Sequence, residues 1–218
     1  MKFIDLFSGL GGFHLAASAL GNKCVFACEI DPLLRATYEK NFGIAPAADI
    51  NDVDPLSVPE HDLLCAGFPC QPFSKAGEQA GWADAKRGTV FNKVVEILRA
   101  KKPKYLILEN VAHFVKHDEG NTYARVRSAL EDLGYQVKPG QLSPHQFGVP
   151  QIRERMYMVG RLDGELDKFE FPEAETSGAD LSIQSVLDKK PKEALKIGPR
   201  VISSMEVWQD FLKKFTGR

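Results

Sequence analysis

No stretch of this chain is apolar for long enough to span a bilayer. The opening Met1-Lys2-Phe3-Ile4-Asp5 is no secretory signal, because a carboxylate interrupts it at once. Cysteine is sparse: Cys24, Cys28, Cys65 and Cys70 include no Cys-x-x-Cys pair and fall far below the density of a disulfide scaffold. Cys24, Cys28 and Cys65 therefore read as reduced core thiols on strands, and the compartment as cytoplasmic. None of His14, His61, His113, His117 or His145 stands in a recognisable pairing with a nucleophile, which disfavours a thiol hydrolase, and no metal ligand is assigned. An excess of charge of one sign is also missing. The formal net charge is -1, so binding a polyanion would require basic residues segregated onto one surface, or a basic part elsewhere.

What is present is 44% hydrophobic content over 218 residues, enough for a substantial core. Its patterning alternates. Lys2 to Phe7 reads as a buried strand, Ser8-Gly9-Leu10-Gly11-Gly12 as a turn, and the following residues as a helix through Leu20, stopped by Gly21. Val25 to Glu29 is a second strand ending in an acid, and Pro32 starts a helix to about Phe42. Asp49-Ile50 stands where a third strand should end, and His61 to Cys65 reads as a fourth. A helix with Thr89 as N-cap candidate runs to about Ala100, followed by a strand Tyr105 to Leu108. A helix over Thr122 to Leu133, a strand near Tyr135 to Leu142, a turn from Pro144 to Pro150 and a strand Arg155 to Val159 continue the series. Such alternation predicts an α/β domain with a parallel sheet and a ligand crevice outside the carboxyl ends of its strands.

Glycines at the first strand-to-helix turn let main-chain N–H groups approach a ligand, and Glu29, one βα unit later, can accept from both hydroxyls of a ribose. The turn alone suits NAD as well, although Phe7-Ser8-Gly9-Leu10-Gly11-Gly12 lacks the Gly-x-Gly-x-x-Gly spacing that cradles a pyrophosphate. Further along, Pro69 and Pro72 bracket Cys70 at the end of the apolar run Leu63-Leu64-Cys65. That bracket fixes a thiol on a rigid turn, a setting for a nucleophile rather than for core filling. The polar, glycine-bearing segment Lys75 to Trp82 reads as a loop able to act as a lid. Glu109 follows four apolar residues at a strand end, and adjacent parallel strands lie about 5 Å apart, so Cys70 and Glu109 can reach one small planar ligand. Gln151, Arg153 and Arg155 alternate along an extended segment and so share one side, where two guanidiniums suit phosphate or a carbonyl oxygen.

Phe7-Ser8-Gly9-Leu10-Gly11-Gly12, Pro69-Cys70-Gln71, Glu109-Asn110-Val111 and Gln151-Ile152-Arg153-Glu154-Arg155 come in one order between residue 3 and about residue 160. Together they resemble the cytosine-5 DNA methyltransferases. The resemblance implies an S-adenosylmethionine-dependent methyltransferase (Rossmann-like) fold, mostly parallel with one antiparallel strand. It implies S-adenosyl-L-methionine as cofactor, S-adenosyl-L-homocysteine as product, and double-stranded DNA as partner, in a prokaryotic restriction-modification setting. By the same resemblance Phe7, Gly9, Leu10, Gly11, Gly12, Glu29, Ile30, Asp49, Ile50, Pro69 and Val90 bind the cofactor. Cys70 is then the nucleophile, Glu109 the acid, Arg153 and Arg155 the charge stabilisers, and Gln71, Ser74 and Gln151 contact the substrate.

Beyond Gly160 the character changes. An acidic stretch with Phe169, Phe171 and Pro172 precedes a basic one from Lys189 to Arg200, and Met205 to Phe215 has the apolar spacing of an amphipathic helix. The resemblance covers a catalytic domain over 1–160. Residues 161–218 read as an extension leading to a target recognition domain whose motifs are not found. That leaves open a fragment, a split-enzyme subunit whose second chain carries recognition, a module that only binds cofactor or partner, and a tRNA cytosine-5 enzyme.

Overall fold

The computed structural model describes residues 1–69, 90–164, 166–175, 181–189, 191 and 196–215. Six strands form one sheet: β1 (Lys2–Leu6), β2 (Lys23–Cys28), β3 (Leu63–Gly67), β4 (Tyr105–Val111), β5 (Tyr135–Leu142) and β6 (Arg155–Leu162). Their order is β2-β1-β3-β4-β6-β5. β1, β2, β3 and β4 pair in parallel, whereas β6 runs antiparallel to both β4 and β5. The expected class is thus the observed one, with β6 as the reversed strand.

The helices are α1 (Gly12–Ala19), α2 (Pro32–Phe42), α3 (Val90–Lys101), α4 (Asn121–Glu131) and α5 (Pro199–Phe215). Each boundary has a local cause. The Asp31 carboxylate accepts from the main-chain N–H of Leu33 and Leu34 at 2.7 and 3.2 Å, which caps α2 before Pro32, and Gly43 ends it at φ 70°. α3 turns Phe91, Val94, Val95, Ile97 and Leu98 inward, a helical stripe that packs in one core with Leu106 and Leu108 of β4 and Met156 and Met158 of β6. β3 is buried from Leu63 to Ala66, as a central parallel strand must be. Cys24, Cys28 and Cys65 are free and buried on β2 and β3, as core thiols should be.

The third strand expected before Asp49-Ile50 is reduced to a single parallel bridge between Cys28 and Ala47. Pro46 has no N–H to give to a ladder. Two residues after Ala47, the Asp49 side chain accepts from Asn51 N–H at 2.9 Å and starts a 3-10 turn over Ile50–Asp52 instead. α5 is also longer than the expected Met205 to Phe215, beginning at Pro199. Thr89 lies outside the described residues.

The chain forms two compact units, Met1–Leu181 and Ser182–Arg218. In the first, residues after β6 return to the sheet edge. Leu166 N–H donates to Gln136, Lys138 to the Phe169 carbonyl, and the Phe171 ring occupies the space where Gly140 would carry a side chain. The second holds α5, on which Trp208 and Phe211 stack at 5.3 Å. Among the described residues, no helix is long and apolar enough to cross a membrane.

Candidate active site

The turn after β1 is held by its own main chain and by one acid. Phe7, Gly9 and Gly11 all lie in the left-handed region, at φ 56°, 54° and 88°. For Phe7 that is a strained backbone, of the kind structures keep where a ligand must be met. Ser8 N–H donates to the Cys28 carbonyl at 3.0 Å, and Gly11 N–H to the Ser8 carbonyl at 2.8 Å. Glu29, buried at the end of β2, closes the arrangement: its two oxygens accept from Gly9 N–H at 2.8 Å and Asp31 N–H at 2.9 Å. Each oxygen keeps a lone pair for a further donor.

The glycines differ. A β-carbon on Gly11 would come within 2.2 Å of the Phe42 ring, so Gly11 is needed by packing. At Gly9 and Gly12 a β-carbon would meet nothing within 4 Å, so these two face open space. Leu10 and Ile30 expose apolar side chains nearby in sequence, at 63% and 69%. The Ser8 hydroxyl is buried and has no partner among the described residues. Ile50 is covered by the main core and Asp49 is engaged with Asn51, while Phe7 and Val90 pack partly against that core.

The second half of the site lies at the carboxyl ends of β3 and β4. Gly67 pairs with Glu109 across these strands, and a β-carbon there would stand 3.2 Å from Glu109 Oε2. Glycine thus leaves room for the carboxylate. From the other side, β6 sets Tyr157 opposite Glu109 and Arg155 opposite Val111. Arg155 Nε reaches Glu109 Oε1 at 2.8 Å, in a pair whose side chains are about a quarter exposed or less. Burial pushes the Glu109 carboxyl above its ordinary range, and Arg155 and Arg153 oppose that rise. Tyr157 is held protonated in the same way, by burial and by the charge of Glu109.

Of the remaining expected residues, Gln151 and Arg153 are exposed on the segment entering β6. Ser143 anchors that segment: its buried hydroxyl accepts from Arg153 N–H at 2.9 Å and bonds His145 Nδ1 at 2.8 Å. Pro69 is exposed, whereas Cys70, Gln71, Ser74 and the expected lid lie outside the described residues. Asn110, buried beside Glu109, donates from Nδ2 to the Phe68 carbonyl at 2.9 Å. Asn110, Ser143 and Tyr157 carried no role in the sequence reading. Asn110 was visible there as the neighbour of Glu109, and Tyr157 as the next position on the face of Arg153 and Arg155. Ser143 gave no such signal. Among the described residues, no group of His, Cys, Asp and Glu is arranged to hold a metal ion.

The sequence matches the family described as C-5 cytosine-specific DNA methylase over residues 1–215. It is 47% identical over 171 residues to the type II methyltransferase M.MspI of Moraxella sp, covering 78% of this chain and 41% of that protein. Identity to M.HhaI of Haemophilus parahaemolyticus is 46% over 173 residues, 79% of this chain and 53% of the relative. M.NlaX of Neisseria lactamica is 40% identical over 216 residues, 98% of this chain and 66% of its own. The crystal structure of S. pombe Dnmt2 methyltransferase shares the fold, with a TM-score of 0.69 at 24% identity over 88% of this chain and 62% of that one. The chain spans about half the length of the first curated relatives it matches, 41% to 53%.

Proposed function

This chain belongs to the C-5 cytosine-specific DNA methylase family, and we propose that it forms the catalytic core of a DNA (cytosine-5)-methyltransferase acting through Cys70. The observation that carries the reading is the Glu109–Arg155 pair. It stands at the carboxyl end of β4, beside the strand whose sequence leads to Cys70. An acid kept above its ordinary range and an arginine on its flank suit a neutral ring that gains negative charge as it is attacked.

Carbon 5 of cytosine is a weak nucleophile. Addition of the Cys70 thiolate to carbon 6 makes carbon 5 enamine-like and reactive. Glu109 eases that addition by giving a proton or hydrogen bond to N3, and Arg155 stabilises the charge at O2. S-adenosyl-L-methionine, when bound, supplies an electrophilic methyl group and leaves as S-adenosyl-L-homocysteine. Loss of the carbon 5 proton to a base or water then expels Cys70 as thiolate. A stacked base cannot be reached this way, so the cytosine must be extruded from the duplex.

The turn after β1 fits that cofactor. Gly9 and Gly12 leave space for it, Glu29 retains acceptor capacity for ribose hydroxyls, and the Ser8 hydroxyl is free to bind a polar group. In this reading Phe7 and Ile50 pack on its adenine, Asp49 takes the adenine amino group, Leu10 lies by its amino-acid end, and Ile30, Pro69 and Val90 complete the contacts. Arg153, Gln151, Gln71 and Ser74 face the DNA. Because the first curated relatives are about twice as long as the matched region, we place sequence recognition outside residues 1–160, further along a longer polypeptide or on a second chain.

The test is calorimetric titration of S-adenosylmethionine, then incubation with duplex DNA carrying 5-fluorocytosine, which blocks release of the cysteine. We expect binding, and a denaturation-stable DNA adduct that Cys70→Ser abolishes while keeping cofactor affinity. An adduct that persists in Cys70→Ser would overturn the mechanism.

A further inference from the structure

Beneath the cofactor turn lies a buried polar cluster that the proposed chemistry does not use. Asp5, next to last on β1, is fully buried. Its Oδ2 accepts from the Tyr38 hydroxyl of α2 at 3.3 Å, and Oδ1 has no partner among the described residues. Tyr38 in turn bonds His14 Nδ1 of α1 at 2.6 Å, and Cys24 of β2 lies 3.8 Å from the same hydroxyl. The His14 ring stacks on Phe42 at 4.0 Å, and this is the ring against which Gly11 is seated. One carboxyl thus connects β1, α1 and α2, the three elements that frame the turn.

A carboxyl so enclosed, with one oxygen unpaired, cannot hold its charge cheaply. Burial pushes Asp5 up to about 7 and the nearby charge of Glu29 adds to that, while the Tyr38 hydroxyl and the His14 main-chain N–H pull it down. Burial raises Cys24 on β2, raises Cys65 on β3 and lowers His14 on α1, and the Tyr38 phenol on α2 is raised far above its ordinary range. Glu29, which repels the Asp5 charge, is the acid that holds Gly9 in the cofactor turn.

We propose that Asp5 is a proton-linked positioning residue of the cofactor turn, which gives its proton to solvent when S-adenosylmethionine binds. This rests on the cofactor reading above. The ligand carries a sulfonium and an ammonium against one carboxylate, so it brings net positive charge to a turn in which Glu29 is the near anion. That charge offsets the repulsion Glu29 exerts on Asp5 and favours the ionised form. No covalent bond changes except the O–H of Asp5. Ionised Asp5 in turn accepts more strongly from Tyr38, tightening the frame around the ligand.

The experiment is calorimetric titration of the full chain with S-adenosylmethionine in pairs of buffers of different ionisation enthalpy, between pH 6 and 8. We expect release of a fraction of a proton, roughly half near pH 7, and less with S-adenosylhomocysteine, whose sulfur is uncharged. Asp5→Asn should bind without the release that wild type shows, and Tyr38→Phe, which removes a donor, should move the release to higher pH. Infrared difference spectra of the wild-type protein give a second readout that needs no variant, the loss of a carboxylic C=O band on binding. Binding with no proton release and no loss of that band overturns this inference alone. No binding at all overturns the cofactor reading with it.

Discussion

Asn110 Nδ2 donates to the Phe68 carbonyl at 2.9 Å, and this bond ties the end of β4 to the chain two residues before Cys70. The Oδ1 of the same Asn110 side chain accepts from Val111 N–H at 2.9 Å. The residue next to the proposed acid therefore holds the main chain at Phe68, two residues before the proposed nucleophile in sequence, by side-chain geometry as well as by the sheet.

Asn110→Ala should leave the Phe68 carbonyl without its donor in a buried setting, a loss of about 1–3 kcal/mol. Urea denaturation would measure it. We also expect slower adduct formation on 5-fluorocytosine DNA with cofactor affinity unchanged, because the bond holds the chain two residues before Cys70 in sequence. Wild-type stability in Asn110→Ala would mean that the amide adds nothing to the frame.

Glu109→Gln preserves size and hydrogen bonding while removing the titratable proton and the ion pair with Arg155. Loss of a positioned general acid typically lowers the rate about 10²–10⁴-fold. Adduct formation on 5-fluorocytosine DNA should fall by that order, and S-adenosylmethionine affinity should stay within about twofold. The burial that raises Glu109 favours its proton-bearing form. Activity of the wild type should therefore fall as pH rises past the Glu109 titration, and Glu109→Gln should lose that limb. An unchanged profile in the variant would assign the proton to another group.

Much of this site was legible because its chemistry sits at strand ends, where apolar runs stop on a polar residue. Glu29 and Glu109 were both found that way, and Arg155, at the start of β6, meets Glu109 as a guanidinium. The third strand was not legible. Pattern alone does not weigh the missing N–H of Pro46 or the capping bond of Asp49, which together leave one bridge at Ala47. Ser143 and Arg153 meet across a loop ten residues apart, and Phe171 meets Gly140 across an even longer interval. Such contacts depend on how the chain returns, which local periodicity does not encode.

Asp5 makes a separate prediction for the protein without ligand. Its folded value of about 7 lies above its ordinary value of 3.8, so the folded state keeps a proton that the unfolded chain loses first. The stability it contributes is fully present below about pH 4 and is lost as pH rises toward 7, with a slope of order 1 kcal/mol per pH unit at most. Urea denaturation between pH 4.5 and 7.5 should show a decline in the wild type that is flatter in Asp5→Asn. Parallel curves for the two proteins would mean that Asp5 is ionised in the fold throughout.

Gly11 and Gly12 separate close packing from open space within one turn. Gly11 has φ 88°, and a β-carbon there would drive into the Phe42 ring. Gly11→Ala should therefore destabilise the fold by at least about 1 kcal/mol, the scale of left-handed strain for a residue with a side chain. Gly12 begins α1, and a β-carbon there meets nothing within 4 Å. Gly12→Ala should thus fold with wild-type stability or slightly more, since alanine suits a helix better than glycine. If the space before it belongs to the cofactor, Gly12→Ala weakens S-adenosylmethionine binding tenfold or more in calorimetry. Wild-type affinity there would move the cofactor away from α1, toward Glu29 and Asp49, and leave Gly12 free of any ligand role.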